Sequence, residues 1–129
     1  MMQEKKQVIS TSKAPKAIGA YSQAIRSYHT VYLSGQIALN AENELIQGDF
    51  AMQLQQIFLN LSAVAKASGG TLNDIVKLNV YLIDMQHYAQ VNTIMAEFFS
   101  EPYPPRAVVA VAALPKGVDV EVDAVMVVA

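Results

Sequence analysis

Not one cysteine occurs in the 129 residues of this chain. That excludes a disulfide framework, a thiolate nucleophile and any thiolate metal site, and it fits a reducing, cytoplasmic setting. Charge is sparse too: Asp, Glu, Lys and Arg make up 16% of the residues, where an ordinary soluble domain has roughly 25%. A formal net charge of −2 lacks the basic footprint that binding to a phosphate backbone demands, which argues against a nucleic-acid partner. No apolar run approaches the roughly 18 residues of a membrane span. The opening MMQEKKQVIS carries charge with no apolar stretch behind it, unlike a signal peptide. His29 and His87 have no partner His or Cys at ligand spacing, so no metal site is expected.

What the chain has in excess is apolar surface, with 53% hydrophobic residues. Its length suits one domain, 1–129, able to bury a core without staples. A monomer of that size would struggle to hide so much apolar surface, which favours an oligomer.

TVYLSGQIA, residues 30–38, alternates as a strand, with Val31, Leu33, Gly35 and Ile37 on one parity. The preceding AIRSY is expected to pair with it through a corner at Ser27 to Thr30. Phe50, Leu54, Ile57, Phe58, Leu61, Val64 and Ala65 recur at helical steps, and Gly69-Gly70 ends that helix. IVKLNVYLI, 75–83, alternates again, with Val76, Leu78, Val80 and Leu82 on one face. Asp84 is a candidate N-cap for a second helix marked by Tyr88, Val91, Met95 and Phe98. The end reads as a closing hairpin, Arg106 to Ala113 and Val118 to Val128 around Leu-Pro-Lys-Gly. The expected order is hairpin, helix, strand, helix, hairpin, and the fold class is α+β: a mostly antiparallel sheet with two helices on one face.

Within that closing hairpin, Arg106 and Val108 would share a face with Asp119, Glu121 and Asp123, and Arg106 and Glu121 would lie roughly 13 Å apart along the sheet. A guanidinium fork grips a carboxylate with two parallel hydrogen bonds, and a nearby acid can hold and polarise a water. The pair therefore suits a small carboxylate substrate attacked by water at the adjacent carbon. From the motif alone a solvated strand face is the more usual place for two charged residues, and a slip of one residue would put them on opposite faces.

AIGAYSQ (17–23), YLSGQI (32–37), DIVK (74–77), Val91-Asn92 followed by Phe98-Phe99, PRAVV (105–109) and LPKGVDVE (114–121), in this order over nearly the whole chain, resemble the reactive intermediate deaminase family (RidA, also YjgF/YER057c/UK114). The resemblance implies a chorismate-mutase-like fold assembled as a homotrimer, with ligand clefts between subunits. It implies hydrolysis of 2-imino acids or their enamine tautomers, released by pyridoxal-phosphate enzymes, to 2-oxo acids and ammonium, with no metal or organic cofactor. The alternative within the wider family is a non-catalytic trimer that binds 2-oxo acids or other small carboxylates and regulates a partner. By the resemblance, Arg106 binds the substrate carboxylate, Glu121 positions the hydrolytic water, Tyr21 lines the cleft, and Gly35 and the backbone of Val108 offer main-chain contacts. Asn92 is carried over as a substrate-binding residue, or as a helix-to-loop hydrogen bond. Ala20 and Ala38 stand where the family often has proline, and Val108 where many members have cysteine. The first two remove restraints on the loop that places Tyr21. The resemblance leaves open whether Arg106 and Glu121 of one cleft come from one chain or two.

Overall fold

The computed structural model describes residues 5–129; the charged start used to argue against a signal peptide falls partly outside them. Six strands form one sheet: β1 (Gln7–Ile9), β2 (Ala24–Ser27), β3 (Thr30–Gln36), β4 (Ile75–Leu82), β5 (Arg106–Ala110) and β6 (Val120–Val127). Their spatial order is β1-β2-β3-β6-β4-β5, antiparallel throughout except for the parallel pair β4 and β5. Helices α1 (Phe50–Ala67) and α2 (Tyr88–Phe98) cover one face, as the α+β reading expects.

Asp49 starts α1 by accepting from the Met52 N–H. A Schellman closure ends it: Gly69 takes φ +93°, and the Gly70 N–H reaches the Ala65 carbonyl at 3.0 Å. Between these caps, Leu54, Ile57, Phe58, Leu61 and Val64 are fully buried, against Val120 and Val122 of β6, Leu78, Val80 and Leu82 of β4, and Val31 and Leu33 of β3. Asp84 caps as expected, but it caps the 3-10 turn Met85–His87 that leads into α2. No buried side-chain nitrogen or oxygen among the described residues lacks a partner.

The β2–β3 hairpin forms at the expected corner, Ser27 opposite Thr30. The closing hairpin does not form. β4 lies between β5 and β6, and β5 runs parallel to β4 after a crossover through α2. Parallel neighbours need such a crossover, and the strand–helix–strand order of 75–110 supplies it. Two bulges also shift the alternation read from sequence. In β3 the register slips between Leu33 and Gln36, so that Gln36 turns into the core and Gly35 outward. In β4 it slips between Ile75 and Lys77, burying Ile75 and exposing Val76.

Candidate functional site

The bare face of the sheet is where Glu121 points. It alternates with buried Val120 and Val122 on β6 and stands opposite Tyr81 of β4. The β3 bulge brings Gly35 beneath it: a Cβ added at Gly35 would fall on Glu121 Oε2. Only a residue without a side chain leaves that space to the carboxylate. Tyr21 completes the group from the loop ahead of β2, and its hydroxyl accepts from the Ile18 N–H at 3.3 Å. Tyr21, Ser34, Gly35, Gln36, Asn43, Lys116 and Glu121 line a cleft of about 460 Å³.

Glu121 is only half-buried, yet its pKa is raised above the ordinary carboxylate value, first by loss of hydration and then by the charge of Asp123. Asp123 is fixed on the same face by two donors, Asn79 Nδ2 at 2.8 Å and the Tyr81 hydroxyl at 2.9 Å. That hydrogen bond is the main reason the Tyr81 pKa is also raised, with burial next. Asp119, expected beside them, turns instead to α1, where it accepts from Gln53 Nε2 at 3.1 Å.

Arg106 lies elsewhere. It begins β5, the edge strand, and faces the helices. One guanidinium nitrogen donates to Met95 Sδ at 3.1 Å; the other donates to Asn92 Oδ1 and, at 3.3 Å, to the Tyr88 hydroxyl. The Tyr88 ring lies under it, 5.5 Å from Cζ to the ring centroid. Arg106, Asn92, Met95 and Tyr103 line a separate hollow of about 280 Å³. Val108, two residues on, packs its side chain against the core.

The expected convergence of Arg106 and Glu121 on one face of one chain is therefore corrected. Arg106 is opposite Leu78, and Glu121 is opposite Tyr81, so one intervening strand, hence two strand spacings, and three residues separate them. Strand spacings put their Cα atoms about 14 Å apart, with the side chains on opposite faces. Two separate clusters result: Glu121, Gly35 and Tyr21 in one, Arg106 held by Asn92 and Tyr88 in the other. Sequence reasoning read Tyr88 only as a helix-marking residue and passed over Asn43, Asn79 and Tyr81. The alternating pair Asn79 and Tyr81, on the parity opposite Leu78 and Val80, was the signal available for the last two.

A sheet backed by two helices, with an acid seated on glycine in an open cleft, defines an α+β protein with a candidate small-molecule cleft. The family model described as Endoribonuclease L-PSP matches residues 11–128. The 2-iminobutanoate/2-iminopropanoate deaminase of Dermatophagoides farinae is 44% identical over 124 residues, which cover 95% of this chain and 97% of that protein. Among solved structures, RidA from the Antarctic bacterium Psychrobacter sp. PAMC 21119 superposes with a TM-score of 0.91 at 48% identity, covering 95% of this chain and 99% of that one. E. coli TdcF with bound serine gives a TM-score of 0.90 at 35% identity, covering 96% and 100%. The chain belongs to the reactive intermediate deaminase (RidA) family.

Proposed function

We propose that this protein hydrolyses 2-imino acids, or their enamine tautomers, to 2-oxo acids and ammonium. Relatives that bear the deaminase name match it over nearly its full length. The observation that carries the reading to residues is the Glu121 carboxylate, seated on Gly35 in a cleft with Tyr21. A half-dehydrated carboxylate with a raised pKa is a better proton acceptor than a solvated one. It takes a proton from water as the oxygen bonds to the imine carbon and the C=N electron pair moves onto nitrogen. Glu121 returns that proton to the nitrogen, and as the C–N bond breaks the adduct's hydroxyl proton passes to the leaving nitrogen, releasing ammonia and leaving the 2-oxo acid.

The cleft's own cation, Lys116, stands on an exposed turn and offers no bidentate fork for a substrate carboxylate, and Arg106 of the same chain faces away from this cleft. We infer that the cleft is completed by a neighbouring copy in a homotrimer, its β5 edge bringing Arg106 to Glu121. A head-to-tail ring joins two different patches of one chain in just this way. The bare face supports assembly, since it exposes Tyr32, Val109 and Val127. A cytoplasmic setting suits a chain without cysteine. The endoribonuclease of the family description has no counterpart in a chain of net charge −2 whose histidines sit apart, His29 in the β2–β3 turn and His87 stacked on Phe50.

The test generates a 2-imino acid in situ and follows its loss. The wild type should accelerate hydrolysis and Arg106→Ala should remove the gain; equal rates would reject the reading. A second reading, a non-catalytic binder of small carboxylates, is favoured by the serine held in TdcF. It predicts saturable binding of a 2-oxo acid with no turnover.

A further inference from the structure

Residues 40–44 form a three-residue hairpin loop. The Asn40 N–H donates to the Glu44 carbonyl at 2.9 Å, the Asn43 N–H donates to the Asn40 carbonyl at 3.0 Å, and Asn43 takes φ +62°. Glycine is the default at such a left-handed position, and asparagine is the side-chain-bearing residue that tolerates it best. Asparagine here adds what glycine lacks. Its Oδ1 accepts from the Lys16 N–H and its Nδ2 donates to the Lys16 carbonyl, each at 2.9 Å, so both backbone groups of one residue are pinned by one side chain.

Lys16 belongs to the loop that carries Ile18 and Tyr21 to the lip of the cleft. The Ile18 N–H, two residues after the pinned one, donates to the Tyr21 hydroxyl. The other anchors lie at the loop's two ends: buried Gln23 binds the Thr11 N–H at 2.7 Å and the carbonyls of Thr11 and Pro15 at 3.0 and 2.8 Å, and the Ser34 hydroxyl donates to the Ser22 carbonyl at 2.6 Å. The 40–44 hairpin in turn rests on the helix layer, because buried Asn60 of α1 donates to the carbonyls of Ile37 and Leu39 at its base. A rigid path thus runs from α1 through the hairpin tip to Lys16, Ile18 and Tyr21.

We infer that Asn43 is the positioning residue for Tyr21, clamping the 16–21 loop over the Glu121 cleft; for its effect on turnover the inference rests on the proposed deaminase reading. Asn43→Gly keeps the left-handed backbone and removes only the clamp, so it separates this role from turn strain. Its kcat/KM for a 2-imino acid should fall about tenfold to a hundredfold, the scale of a misplaced cleft group, with thermal stability close to that of the wild type. Tyr21→Phe removes the hydroxyl that the loop orients. Added to Tyr21→Phe, Asn43→Gly should cost little further, because both act through one contact. Wild-type kcat/KM in Asn43→Gly, or full multiplication of the two losses, would overturn the inference. Amide exchange judges it independently of turnover: the Lys16 and Ile18 amides should exchange faster in Asn43→Gly, with a shifted Tyr21 ring signal. Unchanged exchange at both amides would overturn it even in an active enzyme. A wild type without turnover but with those amides released in Asn43→Gly would reject the deaminase reading and uphold the clamp.

Discussion

Glu121 rests its carboxylate directly on Gly35, in the space that a Cβ would occupy at position 35. The contact exists because a bulge in β3 turns Gly35 outward just where β6 presents Glu121. Gly35→Ala should therefore move the end of a flexible side chain and leave the sheet standing. Its kcat/KM should fall nearly as far as that of Glu121→Gln, with a melting temperature near that of the wild type. Kinetics beside a thermal melt check both halves; full activity in Gly35→Ala would separate the glycine from the carboxylate's function.

Asp123 should tune Glu121 through charge. The Glu121 pKa is raised first by burial and second by Asp123. If the ionised carboxylate is the base, the acid limb of kcat/KM against pH lies above about 4.3, the ordinary glutamate value. Asp123→Asn should move that limb downward by less than the whole displacement, because burial remains. An unmoved limb, or one moved upward, would count against the role given to Asp123.

The same displacement fixes a sign for stability. The folded chain keeps the Glu121 proton at a pH where the unfolded chain has released it, so stability contributed by the protonated form is lost as pH rises from the ordinary glutamate value through the raised one. Above that window the ionised carboxylate weighs against the fold. Glu121→Gln should melt slightly above the wild type at neutral pH, with the advantage gone below the ordinary glutamate pKa. A lower melting temperature at neutral pH would contradict the sign.

Asn92 accepts from the Arg106 guanidinium, so its expected effect runs through Arg106. A hydrogen bond to a charged group contributes about 1.5–3 kcal/mol, and part of it is replaced by Tyr88 and water. Asn92→Ala should raise KM about threefold to tenfold with a smaller change in kcat. Steady-state kinetics of Asn92→Ala beside the wild type check this; an unchanged KM would count against the role given to Asn92.

Much of this fold was legible where the signal is local. The helical spacing from Phe50 to Ala65, the Gly69-Gly70 stop and the Ser27 to Thr30 corner depend only on neighbouring residues, and each appears as expected. The place of β4 between β5 and β6 is not local. Residues 106–128 read as a hairpin because consecutive strands usually pair, although the helix between β4 and β5 already pointed to a parallel partner. The bulges at Ser34-Gly35 and Val76 escaped for a related reason, since a strict period of two cannot register an inserted residue. The resemblance drew attention to Tyr21, Gly35 and Glu121, and these three line one cleft. It also drew attention to Arg106, whose distance from them follows from strand order, which alternation along a single strand does not encode.

In the proposed homotrimer, one cleft draws its carboxylate from one copy and its guanidinium from the next. Arg106→Ala and Glu121→Gln proteins, each inactive alone, should be unfolded together, refolded as a mixture and assayed for loss of a 2-imino acid. Random assembly in a ring unites an intact Arg106 with an intact Glu121 in about one site in four, so roughly a quarter of wild-type activity should return. A mixture as inactive as its components, while the refolded wild type recovers its rate, would contradict the shared cleft.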